Sequence, residues 1–233
     1  MEKNLVALLT DQFSDKVVTR LTGHLGEERS AVEKGIQALI PTVWAALIHR
    51  SSVDRESGIF SLADASRSAL GDPDHLPEHM EMVLSDPNDP NGINLLDRAG
   101  GILKTLWGER LNPVAEALAA YAGLKTSSGH QLLALGAPAA LSLVGQVAQR
   151  NGLNEQGAAE LLQNRKPEVI AAVPAGYNLA GALGIDNLDD IDLQARKPYE
   201  TYPGLPPVVA ERRRSRVWVW SPRSADNSKD LPR

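Results

Sequence analysis

Hydrophobic positions recur with a helical period along most of this chain. Between Ser30 and Arg50, Val32, Ile36, Leu39, Ile40, Val43, Trp44, Leu47 and Ile48 fall three or four residues apart, which gathers them on one broad helix face. Ser30 followed by Glu33 predicts a capping box at the start of that helix. Pro41 lies inside it, with no N–H for the carbonyl of Gln37 and a ring that crowds it, at a cost of ~3 kcal/mol unless burial compensates. The expectation is a kinked, buried helix. A second helix of this kind is predicted from Ser127 to Arg150, with Pro138 at its middle and apolar residues almost all round from Leu132 to Val147. Gln131, Ser142, Gln146 and several glycines argue that it lies in a protein core rather than in lipid.

Shorter helices surround these two. The pattern predicts them over Asn4–Gln12, from a Ser14 cap to Leu25 with Gly26 as the left-handed stop, and over Phe60–Leu70, Pro77–Leu84 and Ile93–Trp107. The run from Asp86 to Gly92, DPNDPNG, reads as a turn. Asn112–Ala122 follows, with Pro113 at its first position and Gly123 ending it. Asn154 is expected to cap a helix to Gln163, and Glu168–Val173 and Asn178–Leu183 are expected to be short helices on either side of Pro174-Ala175-Gly176.

A constant offset of 97 relates the two halves. It carries Leu9 to Leu106, Val17 to Val114, Leu21 to Leu118, Gly26 to Gly123, Ser30 to Ser127 and Pro41 to Pro138. Agreement of stop, cap and proline at one offset is more specific than agreement of leucines. The expectation is an all-α, internally duplicated domain over residues 1–185, with repeats at about 4–50 and 101–147 and two central kinked helices. An acidic, then proline-rich linker is expected over 186–209 and a disordered, basic, Trp-containing tail over 210–233.

Composition narrows the function classes. Of 233 residues, 42% are hydrophobic and only 4% aromatic, so Leu, Ala, Val and Ile must build the core. The absence of cysteine excludes disulfides and thiolate metal sites. The N-terminus, MEKNLVALLTDQF, does not read as a signal peptide, and no stretch reads as the ~20 apolar residues of a transmembrane helix. Net charge is −5, but residues 210–233 hold seven Arg/Lys against three Asp/Glu, a net of +4, leaving −9 for residues 1–209. An acidic body argues against nucleic acid as its partner.

Candidate chemistry is sparse. His24 and His49 stand alone. His75 and His79 are four apart, a spacing that lets two imidazoles share a metal on one helix face, but Pro77 between them starts a helix and leaves His75 outside it. His130 is expected to help cap the second long helix. Asp86, Asn88, Asp89 and Asp97 invite a calcium-loop reading, whose spacing fails because Pro90 takes a ligand position. Asp186, Asp189, Asp190 and Asp192 read as a solvated acidic exit. No nucleophile-elbow, P-loop or dinucleotide-binding motif is present, and no catalytic residue, metal ligand or cofactor is expected. In the tail, Arg212, Arg213, Arg214 and Arg216 supply positive charge, and Trp218 and Trp220 suit a headgroup interface.

The stretches LGEERSAVEKGIQALIPTVWAAL and LAAYAGLKTSSGHQLLALGAPAALSLVG, with the closing pieces GLNEQGAAELL and VPAGY, resemble the YidB-like family of bacterial all-helical proteins. The resemblance covers roughly residues 4–185 and implies a fold rather than a role. Some members resembling this chain continue from a proline-rich linker and basic patch into a transmembrane helix and an OmpA-like peptidoglycan-binding domain. ERRRSRVWVW resembles the approach to such a helix, but SPRSADNSKDLPR is polar, so neither feature is expected here. The function expected is a non-catalytic interaction module, cytoplasmic or at the inner-membrane surface. It would bind a protein partner or a second copy of itself, and an anionic membrane through its tail. The alternative expected is a small-molecule or metal-dependent enzyme with its site between the two halves.

Overall fold

A computed structural model describes residues 4–53, 58–70, 73–85 and 90–192. Among the described residues every regular element is a helix. In chain order these are α1 (Leu5–Gln12), α2 (Asp15–Leu25), α3 (Arg29–Val53), α4 (Ile59–Leu70), α5 (Leu76–Ser85) and α6 (Pro90–Trp107), then α7 (Leu111–Ala122), α8 (Thr126–Arg150), α9 (Glu155–Asn164), α10 (Lys166–Ala171) and α11 (Leu179–Leu183). The chain falls into two units, Met1–Lys197 and Pro198–Arg233. The second, with the arginines and tryptophans of the tail, lies outside the described residues.

The two 25-residue helices α3 and α8 form the centre. Both run on through Pro41 and Pro138, and both prolines are buried. On α3, Val32, Leu39, Val43, Trp44 and Leu47 are fully enclosed; on α8, Leu132, Leu133, Leu141 and Val144 are. By length and composition both helices qualify to cross a membrane, contrary to the expectation that none would. Alanine and glycine between the leucines, with few charges, produce that result, and 83% of each apolar window is buried inside the domain. They pack where small residues let them approach. A Cβ built on Gly35 would meet a Leu132 methyl at 2.8 Å, and one built on Gly136 would meet a Leu39 methyl at 2.8 Å. Thus glycine on each helix receives leucine from the other.

Helix ends follow local chemistry in several places. Ser14 accepts from the Val17 N–H (3.3 Å) and Asn154 from the Gly157 N–H (2.9 Å). Gly26 and Gly123 end α2 and α7 at φ 61° and 76°, a backbone that side-chain-bearing residues rarely adopt. The offset of 97 also carries the bounds of α3 onto those of α8, and the bond from the Gly26 N–H to the Thr22 carbonyl onto the cap bond from the Gly123 N–H to the Ala119 carbonyl.

Other expectations need correction. The capping box at Ser30 does not form: α3 begins at Arg29, and Glu33 accepts from the Arg29 side chain (2.8 Å), which also pairs with Asp15. Those carboxylates hold the Arg29 guanidinium above its usual pKa, the Asp15 hydrogen bond contributing most. Ser127 and His130 do not cap α8, a task taken by Glu27 from the other half. Pro113 is the third residue of α7, after a 3-10 turn over Gly108–Arg110, and is tolerated there because first-turn N–H groups need no helical partner. Of the expected turn at DPNDPNG, Asp86–Asp89 lie outside the described residues, while Pro90–Gly92 open α6, as proline suits a helix start. The acidic exit folds back instead of leading out: Ile185 and Ile191 are buried, and Lys166 pairs with Asp192 at 2.6 Å.

Candidate functional site

The segment after α10 closes over α3. Pro174 to Tyr177 form a turn in which the Tyr177 N–H donates to the Pro174 carbonyl (3.1 Å). The turn delivers Tyr177 into the core, its ring 5.3 Å from that of Tyr121 and its hydroxyl 2.8 Å from Thr42 Oγ1. Thr42 donates its one hydroxyl proton to the Ala38 carbonyl (2.6 Å), so Tyr177 must donate to Thr42. Burial pushes the Tyr177 phenol up to about 12, the Thr42 hydrogen bond opposing in part.

Beyond Tyr177, the same segment walls off a cavity of about 110 Å³. Ala46 and His49 of α3 form one side, and Leu106 and Trp107 at the end of α6 form another. Leu183, Ile185 and Ile191 close it, and Arg110 stands at its edge in the 3-10 turn. A carbonyl only accepts, so the 2.9 Å contact between His49 Nδ1 and the Ile191 carbonyl places the proton on Nδ1 and fixes the ring. Trp107 is 6% exposed and its indole Nε1 is buried without a hydrogen-bond partner. Arg110 is exposed and carries no ion pair among the described residues. Its guanidinium lies directly over Gly184, where an added Cβ would sit 2.5 Å from Cζ.

A second polar contact joins the turn before α3 to the start of α8. Glu27, in the turn before α3, accepts from the Lys125 N–H (2.9 Å) and from Ser128 Oγ (2.7 Å) at the start of α8. Those two bonds, Ser128 first, hold the Glu27 carboxyl below its ordinary value. Glu27 thereby satisfies one backbone amide and one hydroxyl and sets negative charge at the positive end of a helix.

The residues singled out in the sequence fare unevenly. Arg212, Arg213, Arg214, Arg216, Trp218 and Trp220 lie outside the described residues, as do Asp86, Asn88 and Asp89. His75 ends a 3-10 turn and His79 sits on α5, on either side of the helix start as expected. Among the described residues no three His, Asp or Glu gather to hold a metal. His49 reaches the cavity, whereas Trp107 and Arg110 were not singled out. Their signal is a missing partner, which exists only in three dimensions.

An all-helical domain built on two buried, proline-bearing helices, with a small donor-lined cavity under its closing segment, defines the class. Residues 7–147 match a family of bacterial proteins of unknown function (DUF937), of which YidB is a member, and the chain belongs to that family. No curated protein and no solved structure matches it.

Proposed function

We propose that this chain is a non-catalytic helical interaction module of a bacterial cell, attached to the inner-membrane surface by its basic, tryptophan-bearing end. The lining of the cavity carries the first half of this reading. Among the described residues that line it, the polar side chains are Trp107, Arg110 and His49, the last already tied to a carbonyl, and none carries a carboxylate or hydroxyl. Such a wall holds an acceptor but offers no paired acid and base for turning it over. Conversion of a ligand held there into a product would overturn that half. We propose further that the two helix pairs are copies of one another, which the shared bounds and stops at an offset of 97 support.

The uneven charge supports attachment, with +4 in residues 210–233 against −9 before them. Arginines near an anionic leaflet contribute about 1 kcal/mol each, so Arg212, Arg213, Arg214 and Arg216 supply at most ~4 kcal/mol, which salt weakens. That alone corresponds to reversible, roughly millimolar binding, so Trp218 and Trp220 must add interfacial burial. The expected result is co-sedimentation of the full chain with phosphatidylglycerol vesicles and none for a chain ending at Pro207. Changing Arg212, Arg213 and Arg214 to Gln should remove most binding at low salt, and changing both tail tryptophans to Ala should make the rest far more salt-sensitive. Equal sedimentation of the full and shortened chains would end the membrane reading.

A further inference from the structure

The cavity at Trp107 has the chemistry of a carboxylate site. Its depth is apolar, formed by Ala46, Leu106, Leu183 and Ile191, and about 110 Å³ suits a small branched aliphatic group. A dry apolar cavity of about 150 Å³ accommodates benzene, which sets the scale. Trp107 lines the cavity, but its Nε1 has no hydrogen-bond partner and no accessible surface, so the ring contributes an apolar wall. Arg110 adds an uncommitted positive charge beside it, seated on Gly184 where any side chain would displace it. A cationic fork at the edge of an apolar pouch complements an anion carrying a short hydrocarbon tail.

The offset of 97 shows that this chemistry is not a by-product of recurring packing. At the matching positions of the other half, Trp107 is replaced by Thr10, Arg110 by Phe13 and His49 by Gln146. Phe13 is buried where Arg110 is exposed. The Trp107–Arg110 pair thus has no equivalent at the matching positions.

We propose that this cavity binds a carboxylate bearing a short branched apolar group, with Arg110 holding the oxygens and the pouch, walled by the Trp107 ring, holding the tail. Two sources share that chemistry, a free short-chain acid and the C-terminal residue of a peptide ending in Leu or Val. The inference rests on the reading of the chain as a binding module, and turnover is scored separately from binding.

The test uses the full chain labelled with nitrogen-15, following the indole N–H resonance of Trp107, assigned with Trp107→Phe. Probes are 3-methylbutanoate and its amide, and an acetylated Gly-Val-Leu peptide with a free or an amidated C-terminus. Saturable movement of the Trp107 resonance by the free acid, by the free-carboxyl peptide, or by both is the expected result, and which of them binds tighter names the source. Each amide should bind roughly tenfold weaker or worse, as should both carboxylates to Arg110→Gln, with Arg110→Lys between. The Arg110 variants should keep the parent melting temperature, since the side chain is exposed and unpaired. Equal binding of acid and amide, no saturable shift with either carboxylate, or unchanged binding by Arg110→Gln overturns the site. New resonances from a converted probe would overturn the non-catalytic reading while leaving the binding result intact.

Discussion

Tyr177 ties the closing segment to the middle of α3 through one proton. The hydroxyl is enclosed and donates to Thr42, so the neutral phenol is the form the fold selects. Its pKa is raised from 10.0 to about 12 on folding, so the folded chain holds a proton that the unfolded chain gives up first. The stabilisation is therefore complete below about pH 10 and lost as pH climbs toward 12, a loss on the order of 2 kcal/mol. Tyr177→Phe should cost about 1 kcal/mol at pH 8, since Thr42 keeps its bond to Ala38. The variant should lose less stability than the parent between pH ~10 and ~12, measured by urea unfolding. Parallel losses in the two proteins would show that this phenol is not the group titrating. Residues that act on their own backbone, such as Ser14, Asn154, Gly26 and Gly123, were legible in the sequence because their partners lie within a few positions. Ser30 and Glu33 have the spacing of a cap, but Arg29, which also pairs with Asp15, engages the Glu33 carboxylate, and α3 starts at Arg29.

At the scale of elements, the crossing of α3 and α8 depends on pairs of unequal size. The offset of 97 makes Gly35 the counterpart of Leu132 and Leu39 the counterpart of Gly136, and each residue also touches its own counterpart. Two leucines would clash there and two glycines would leave a void. Each pair has one of each, with the leucine on opposite helices. Leu132→Gly should cost roughly 2–5 kcal/mol through the cavity it leaves. Gly35→Leu should cost at least 1–3 kcal/mol through overpacking. The double exchange should cost well under the sum, an interaction energy of at least about 1 kcal/mol in a denaturant cycle. Strict additivity would mean that the two positions do not share one space. Periodicity located both long helices and their prolines, because a core helix shows itself in local hydrophobic order. Which glycine meets which leucine was not legible, since contact across 97 residues leaves no local pattern.

Across the whole domain, Glu27 ties the entry of α3 to the start of α8, 98 to 101 residues later. Its carboxyl is depressed on folding, so its contribution is present above the ordinary glutamate value of 4.5 and disappears as pH falls through the lower folded value. Glu27→Gln should therefore cost roughly 0.5–1 kcal/mol at pH 7, the usual size of an anion at a helix start. Denaturant curves at pH ~3 should show the two chains equal. A gap of the same size at both pH values would assign the effect to shape rather than charge.

The cavity wall brings together residues that the chain delivers at very different times. His49 and Trp107 lie inside the stretch 7–147 that matches the family, whereas Leu183, Ile185 and Ile191 come after it. On a ribosome, both long helices emerge before the closing segment does. Until then Thr42, Ala46 and His49 have no cover from Tyr177 or Ile191. The nascent domain thus carries an open trough along α3, and the last-made stretch of the helical unit roofs it into a pocket with Arg110 at its mouth.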